Sequence, residues 1–447
     1  MRRSLLHLAA ALAAAALLSP ASTRAAALTG DFLTHDPSRI TRCDGKDYVY
    51  FTGPDCPMIS SSDGLHWSAG PGALASGVPE WAHKLVPAAK GDWIWAPDVL
   101  KVGGRYLLYY AYSTFGSKTS VIGLISSPTL DPAAADYKWT DDGLVIASND
   151  STPYNAIDPC PVYDAQGDLW LSFGSWNSDR GGIELTRLNP KTGKPIGPLT
   201  ALALGQKTGP EASFIDYHGG YYYLFENEGL CCQGVNSTYH IVMGRARAIT
   251  GPYVGKDGSS MLNAGGTLFL SSDGNRFGPG CLGVYSEGGL DYATYHYYDG
   301  LAGGRPTLAV QTLVWDSDGW PHLGKDLPGG RYALRAGTRD LTVDAGGVAL
   351  GTSGAAGGWN VSPTGDGYYS VSSPSSGLFL TDSSGVLSLA RWSGAGGQRW
   401  RIEQTSAASD YRIVCKDGGE ALTASAAPAL EAWSGAADQG WRFEAAQ

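Results

Sequence analysis

The feature that most constrains the fold of this chain is a repeat of roughly 53 to 70 residues. In each copy a turn glycine is followed by a strand-like run rich in aromatic residues, which is typical of a β-hairpin. The copies begin at Gly45, Gly104, Gly167, Gly220 and Gly289. Five hairpin units at this long, even spacing favour radial sheets around an axis. We therefore predict an all-β fold that begins with a five-bladed β-propeller.

The composition agrees with many short strands joined by tight turns. Glycine accounts for 62 of the 447 residues, aromatic residues for 11% and charged residues for only 17%. A helical bundle or a disordered chain would carry more charge and fewer aromatic residues. With 42 acidic against 32 basic residues the net charge is -10, which excludes an extended nucleic-acid surface.

The first 27 residues have the pattern of a signal peptide. Arg2 and Arg3 precede an apolar stretch from Leu5 to Leu18, and the small residues 25–27 suit a signal peptidase. The arginine pair could instead belong to a twin-arginine signal. The apolar stretch is short for a bilayer span and no later run approaches 18 residues, so we expect a secreted protein, extracellular or periplasmic, without a membrane anchor.

The rhythm of the sequence changes after residue 330. Trp359, Trp400 and Trp441 follow one another at intervals of 41 residues, and two of them end a Gln-x-Trp pattern. Three repeats of this length predict a β-trefoil over residues 331–447. The Pro/Gly-containing stretch 325–330 is typical of a domain boundary, so we assign the propeller to residues 28–324.

Three acids stand nine residues before a turn glycine: Asp36 before Gly45, Asp158 before Gly167, and Glu211 before Gly220. The start of the innermost strand of a propeller blade faces the central channel, so the three acids are expected to converge there. An Asp before Pro, as at positions 36 and 158, could instead only start a turn. The corresponding places in the other two blades lie near Ala96 and Gly280. Asp98 is out of register, and we expect it to be structural.

Seven cysteines are present, and their spacing does not resemble a zinc site. Cys43 and Cys56 could pair across a hairpin, whereas Cys231 and Cys232 are adjacent. We expect most of the cysteines to be small buried apolar groups, or one incidental bridge, without a part in chemistry.

Several short motifs between residue 30 and about residue 322 are similar to those of family 43 glycoside hydrolases, specifically the arabinanases. They are Thr34–Ser38, Ile94–Asp98, Ser113–Ser117, Tyr154–Pro159, Leu171–Ser175, Gly209–Ala212 and Tyr295–Asp299. The resemblance implies a five-bladed propeller and an inverting mechanism. It also implies that Asp36 is the general base, that Glu211 is the general acid, and that Asp158 raises the pKa of the acid and orients it.

The same resemblance implies a role for five further residues. His296 matches a histidine that helps to hold a hydrated calcium or similar ion on the propeller axis, although chloride or sodium would also suit, and no organic cofactor is expected. On spacing alone, His296 could equally be a core residue among tyrosines. Sugar subsites are expected to be lined by Trp95, Phe115, Asn155 and Ser175.

The C-terminal repeats resemble a ricin-type β-trefoil, found as a carbohydrate-binding module. Family sugar pockets use an Asp shortly after a Leu strand start. Asp382 fits this position, Asp344 lies one residue late, and the third copy has Ala424. The domain could therefore bind polysaccharide or only stabilise the protein.

Together these observations predict a secreted, monomeric enzyme that cleaves internal α-1,5 bonds of arabinan. The alternatives within the same chemistry are an exo-acting arabinanase, an arabinofuranosidase or a xylosidase. Outside it, the alternatives are a non-catalytic sugar-binding protein and a retaining propeller enzyme of the fructosidase type.

Overall fold

A computed structural model describes residues 28–175, 177, 181–205, 208–345, 347–352 and 358–446. The expected signal peptide, residues 1–27, lies outside these ranges. Within them, none of the helices combines the length and the apolar character needed to cross a membrane.

Five sheets follow one another along the described part of the N-terminal domain. Blade 1 contains β1 (Thr29–Gly30), β2 (Thr41–Cys43), β3 (Lys46–Tyr50), β5 (Met58–Ser61) and β6 (His66–Gly70), with β1 parallel to β6; β4 (Gly53–Pro54) pairs with β7 of the next blade. After the helix α1 (Glu80–Leu85), blade 2 contains β7 (Trp93–Val102), β8 (Arg105–Tyr112), β9 (Ser120–Ser127) and β10 (Thr140–Ser148).

The other three blades repeat this antiparallel order. Blade 3 contains β11 (Cys160–Tyr163), β12 (Leu169–Ser175), β13 (Gly182–Asn189), β14 (Lys194–Pro195) and β15 (Thr200–Leu204). Blade 4 contains β16 (Glu211–His218), β17 (Tyr221–Glu228), β18 (His240–Ala246) and β19 (Thr267–Leu270), and blade 5 contains β20 (Arg276–Glu287), β21 (Leu290–Asp299), β22 (Arg305–Trp315) and β23 (Pro321–Leu323). Short 3-10 helices lie at Gly234–Asn236, Met261–Asn263 and Gly300–Ala302.

The turn glycines explain why each pair of inner strands forms a hairpin. In blade 4 the two-residue turn between β16 and β17 consists of Gly219 and Gly220, whose φ angles of 58° and 83° are readily adopted only by glycine. Blade 3 differs, because five residues, 164–168, separate its paired strands.

Apolar clusters between neighbouring blades close the ring. Each successive pair of blades shares one buried cluster, and the last of them joins Ile40, Val49 and Trp67 of blade 1 to Leu308 of blade 5. A backbone hydrogen bond of 2.8 Å from the Leu308 N–H to the Phe32 carbonyl reinforces this closure. The predicted five-bladed propeller is confirmed, with its core lying between the sheets.

The C-terminal domain is a β-trefoil, as predicted. Its strands are β24 (Gly330–Ala336), β25 (Arg339–Asp344), β26 (Gly347–Thr352), β27 (Trp359–Pro363), β28 (Tyr369–Ser372), β29 (Phe379–Asp382), β30 (Leu387–Ala390), β31 (Trp400–Gln404), β32 (Tyr411–Cys415), β33 (Ala421–Ala424), β34 (Pro428–Glu431) and β35 (Arg442–Ala445), with 3-10 turns at Gly396–Gln398 and Ala437–Gln439.

Three equivalent hydrogen bonds show the internal symmetry of the trefoil. Each repeat contains a Leu-Thr pair, at positions 341–342, 380–381 and 422–423. The buried tryptophans that define the 41-residue interval each donate from Nε1 to the carbonyl of the leucine of the pair in the same repeat. The pairs are Trp359 with Leu341 at 2.7 Å, Trp400 with Leu380 at 3.1 Å, and Trp441 with Leu422 at 2.7 Å. The repeat in the sequence therefore marks the core of this domain.

The trefoil packs on the end of blade 5 where β20 turns into β21. Arg412 Nη2 donates to the hydroxyl of Tyr292 at 2.6 Å, and this hydroxyl donates to Glu403 Oε1 at 3.1 Å. Tyr292 lies three residues after the turn glycine Gly289, whereas His296 lies farther along the same strand. The trefoil thus contacts the turn end of this strand, about 13 Å from His296 at 3.3 Å per residue.

The cysteines do not form the bridge that the sequence allowed. All seven are free thiols, and Cys43 and Cys56 are buried. Cys43 Sγ lies 3.4 Å from Thr129 Oγ1, and Cys56 packs in the cluster between blades 1 and 2. The possible pairing of Cys43 with Cys56 was therefore wrong: both side chains lie in the buried cluster between blades 1 and 2, where they pack as separate free thiols.

Candidate active site

In each blade one residue, either shortly before the innermost strand or within its first six residues, adopts a left-handed backbone conformation. These residues are Asp36, Ala96, Asp158, Ala212 and Cys281, with φ between 36° and 57°. Such a conformation is unfavourable for residues other than glycine and is concentrated at functional sites. In blades 2, 4 and 5 the pairing of the innermost strand also shifts register near this residue, as in a β-bulge. The bend redirects the adjacent side chains.

The three acids reach one common cavity, here called the central cavity, with a volume of about 1030 Å³. Asp36 and Asp158 are themselves the residues with positive φ, whereas Glu211 directly precedes the bend residue Ala212. The three acids therefore converge as predicted, but the equal nine-residue spacing does not give them the same position relative to the bend.

Asp36 forms a partly buried ion pair with its neighbour His35. His35 Nδ1 and Thr52 Oγ1 each donate to Asp36 Oδ2 at 2.8 Å. Burial alone would raise the pKa of Asp36, but attraction to His35 and the hydrogen bonds from His35 and Thr52 together outweigh burial and lower this pKa to about 2. Burial likewise opposes the charge of His35, but the Asp36 carboxylate raises the pKa of His35 to about 10. Asp36 is therefore ionised at neutral pH.

Asp158 and Glu211 contribute the other two carboxyl groups of the cavity wall. Asp158 Oδ2 accepts a 3.0 Å hydrogen bond from the backbone N–H of Ala212, and Glu211 Oε1 accepts one of 2.7 Å from the hydroxyl of Tyr239. Burial, followed by the negative charges of Glu211 and Asp36, raises the pKa of Asp158 well above its usual range. Asp158 therefore favours its protonated state beside Glu211, whereas Asp36 is ionised.

An aromatic wall borders the same cavity. Trp95 is half-buried and its ring centroid lies 4.8 Å from that of Phe115, which is 77% exposed. Exposed aromatic faces of this kind pack against the apolar faces of sugars. Both residues line the central cavity, where the sequence analysis placed subsites.

Asn155 and Ser175 also line the central cavity, but they are only 2% and 1% exposed. Asn155 Nδ2 donates to Ser175 Oγ at 3.4 Å, and Asn155 Oδ1 accepts from Ser120 Oγ at 2.8 Å. These bonds hold the floor of the cavity in place, so little of either side chain faces a ligand.

His296 lies behind the cavity wall and is fully buried. Its ring stacks on His35 at a centroid distance of 4.4 Å, and its Nδ1 accepts a 3.1 Å hydrogen bond from the backbone N–H of Asp36. Burial and repulsion by His35 lower the pKa of His296 to about 3, so the ring is neutral. Its buried Nε2 has no hydrogen-bond partner among the described residues.

This environment tests the expected ion site. His35, Asp36 and His296 bring potential ligand atoms within 4.8 Å of one another. Both ring nitrogens of His35 are already bonded, to Asp36 and to the hydroxyl of Tyr298, so the three residues do not fit a joint chelate. The open position is Nε2 of His296. A neutral ring whose Nδ1 accepts carries its proton on Nε2, which suits water or chloride, and a cation there would require that proton to leave.

The sequence analysis missed several residues of this site. His35 and Thr52 donate to Asp36, Tyr239 donates to Glu211, and Cys231 and Cys232 line the central cavity. The adjacency of His35 to Asp36 was the one signal that could have indicated its role. Nothing in the spacing of Thr52 or Tyr239 relates either residue to its carboxylate.

Comparison with known proteins agrees with this geometry. Residues 30–321 match the family described as glycosyl hydrolases family 43, well over half of the chain. The chain belongs to glycosyl hydrolase family 43. A second match, to the ricin-type β-trefoil lectin domain-like family, covers residues 355–433 of this family 43 chain.

The relatives of this family 43 protein include both exo- and endo-acting enzymes. It is 38% identical to an extracellular exo-α-(1→5)-L-arabinofuranosidase of Cellvibrio japonicus, over 65% of this chain and 86% of that protein. It is 39% identical to an extracellular endo-α-(1→5)-L-arabinanase of Bacillus subtilis, over 70% and 95%. A solved Cellvibrio cellulosa α-L-arabinanase in complex with arabinohexaose superposes with a TM-score of 0.62 at 36% identity, over 66% and 96%.

Proposed function

We propose that this protein is a secreted, inverting hydrolase that cleaves internal α-1,5 bonds of arabinan. The observation that carries the proposal is the convergence of Asp36, Asp158 and Glu211 on one cavity, with an ionised carboxylate separate from a carboxyl pair that retains a proton. Inverting hydrolysis requires these two states, because one carboxyl activates water while another protonates the leaving oxygen.

Asp36 acts as the general base. Oδ2 accepts from His35 and Thr52, which fixes the orientation of the carboxylate and leaves Oδ1 to accept from water. With a pKa of about 2 it is a weak base in the free protein, but it is ionised throughout the neutral range.

Glu211 acts as the general acid, with Asp158 beside it. The backbone N–H of Ala212 holds the Asp158 carboxyl. Because Ala212 directly follows Glu211, this hydrogen bond places Asp158 beside the chain segment that carries Glu211. The proton retained by the pair is delivered to the leaving oxygen by Glu211, and Tyr239 orients the donating carboxyl. Each such acid or base contribution is worth about 10²–10⁴ in rate.

The size of the central cavity favours a polymeric substrate. A volume of about 1030 Å³ is at the upper end of ordinary ligand pockets and accommodates several sugar units. This supports internal cleavage over an exo mode. Product profiling on linear arabinan tests it: oligomers of mixed size in the first minutes are expected, whereas release of a single small product would show exo action.

Two rival mechanisms have direct tests. A retaining enzyme of the fructosidase type would need carboxyls about 5 to 5.5 Å apart, and proton NMR of the first product would then show the original anomeric configuration. A non-catalytic sugar-binding protein would bind arabinan without any release of reducing ends. We expect the inverted anomer and turnover.

On the axis of the propeller, we propose that an ion or an ordered water binds at Nε2 of His296. The resemblance favours calcium, whereas the tautomer favours chloride or water. Thermal unfolding after dialysis against a chelator, and separately in chloride-free buffer, distinguishes them. A decrease in Tm that calcium alone reverses indicates calcium, and one that chloride reverses indicates chloride.

For the trefoil we propose sugar binding in its second repeat. Trp392 is 42% exposed and its ring lies 5.0 Å from that of Phe379. Asp382 ends the same strand, β29, and accepts from the Gly385 N–H at 2.6 Å. Because the trefoil contacts the turn end of blade 5, it would bind a polysaccharide segment other than the one in the cavity. Retention on insoluble arabinan tests this binding.

Export and a monomeric state complete the proposal. The N-terminal sequence and the extracellular relatives support secretion. Activity in the culture medium, and a mass of one chain by light scattering, are the expected results.

A further inference from the structure

Two adjacent thiols lie in the wall of the central cavity. Cys231 and Cys232 follow β17, and both line the cavity together with the three acids. Cys232 is exposed and adopts a φ of 66°, and its backbone N–H donates to the Tyr298 hydroxyl at 2.7 Å. Four of the other cysteines are buried, so this pair alone combines adjacency with access to solvent among the described residues.

The two thiols have different chemical states. Cys232 Sγ lies 3.8 Å from Nε2 of His35, the cation that binds Asp36. A hydrogen bond from Cys231, together with this cation, lowers the pKa of Cys232 to about 5 despite partial burial. The same bond and burial raise the pKa of Cys231. One thiolate is thus ready to attack, and one thiol stands next to it.

We propose that Cys231 and Cys232 are an oxidation site that lowers the activity of the cavity when the two sulfurs are joined. The oxidant is a small-molecule disulfide. The Cys232 thiolate attacks one sulfur of this disulfide and breaks its S–S bond. The attacked half stays on Cys232 as a mixed disulfide, and the other half leaves as a thiolate. Cys231 then loses its proton to solvent and attacks the Cys232 sulfur, releasing the second thiolate. Two protein thiols are oxidised and one external disulfide is reduced to two thiols.

The position of His35 explains why activity should fall. Joining the sulfurs removes the Cys232 negative charge and draws its Sγ toward Cys231, away from His35. His35 orients Asp36 through Nδ1 and contacts Tyr298 through Nε2. A change in the surroundings of His35 therefore changes the orientation and the charge environment of Asp36, the proposed base. This consequence rests on the proposed function, whereas the oxidation itself does not.

The first experiment measures the oxidation. The folded full-length protein is incubated with glutathione disulfide, and free thiols and intact mass are recorded for the wild type, Cys231→Ser and Cys232→Ser. We expect the wild type to lose two thiols without retaining glutathione, Cys231→Ser to retain one glutathione, and Cys232→Ser to react at least tenfold more slowly. Unreactive wild-type thiols, or equal reactivity of both variants, would overturn the proposal.

The second experiment measures the consequence on linear arabinan. We expect kcat/KM of the oxidised wild type to fall several-fold and to recover with dithiothreitol. Full activity of the verified disulfide form would overturn the regulatory claim. If the protein lacked arabinan hydrolysis altogether, the thiol measurements would still decide the oxidation, so the two failures are distinguishable.

Discussion

Asp158 Oδ2 accepts a 3.0 Å hydrogen bond from the backbone N–H of Ala212, the residue directly after Glu211. This bond links blade 3 to blade 4 at the point where both innermost chains bend. It holds the carboxyls of Asp158 and Glu211 on the same part of the cavity wall. Placing two acids there lowers the stability of the fold but suits acid catalysis, because one of them keeps its proton.

Replacement of Asp158 by Asn should therefore stabilise the protein at high pH. The pKa of Asp158 is raised, so its contribution to stability is complete below about pH 4 and is lost as the pH rises through the raised value. Asn stays neutral and can accept from the Ala212 N–H. We expect a Tm gain of roughly 2–4 °C at about pH 8, little change at about pH 4, and greatly reduced activity. A lower Tm at the higher pH would contradict this account.

Removal of the buried charge of Asp98 should strongly destabilise the propeller. Arg39 Nε donates to both oxygens of Asp98, at 3.1 and 3.0 Å, and both side chains are nearly buried. Asp98→Asn leaves the Arg39 cation without its partner, at a cost of about 3–5 kcal/mol. The matched control is Asp168→Asn, since its ion pair with Arg187 is largely exposed and is worth about 1 kcal/mol or less. Urea unfolding measures both, and equal effects would refute the structural role of Asp98.

Loss of the Tyr239 hydroxyl should reduce turnover more than substrate binding. This hydroxyl donates to Glu211 Oε1, which becomes negatively charged as Glu211 gives up its proton. A hydrogen bond to a charged group is worth about 1.5–3 kcal/mol, or about 10- to 100-fold. We expect Tyr239→Phe to lower kcat by that factor with little change in KM. Tyr217→Phe, at an exposed position of the same blade, serves as the control. A change confined to KM would show that Tyr239 acts on the substrate instead.

Truncation of Trp392 should separate polymer binding from catalysis. The proposed sugar site combines Trp392 with Asp382, whereas the third repeat has Ala424 at the equivalent of the Asp. We expect Trp392→Ala to reduce retention on insoluble arabinan at least fivefold, without changing kcat on soluble oligosaccharides. Trp433→Ala in the third repeat is the comparison and should retain binding. Equal loss in both variants would argue against a site in the second repeat.

The architecture was predictable because its signals are local. Four of the five turn glycines directly precede their aromatic strands, and Gly167 precedes its strand by two residues. The 41-residue tryptophan interval reflects three equivalent hydrogen bonds to leucine carbonyls. The left-handed bend at Ala96 also lies where the repeat placed the corresponding position of blade 2.

The missing parts of the site depend on contacts between distant segments. Tyr239 reaches Glu211 from the loop just before β18, and Thr52 reaches Asp36 from beyond a hairpin. Asn155 and Ser175 line the cavity as expected, but their burial and mutual hydrogen bond depend on packing between β12 and the preceding loop. Spacing along the chain carries no information about such pairs.

Hydrolysis of linear arabinan by Glu211→Gln, beside the wild type and Glu80→Gln, tests the central claim most directly. Glu80 lies exposed on α1, so its replacement controls for the change from Glu to Gln. We predict that Glu211→Gln loses at least about 10²- to 10⁴-fold in kcat while it still binds arabino-oligosaccharides, and that Glu80→Gln matches the wild type. Undiminished turnover by folded Glu211→Gln would contradict the account.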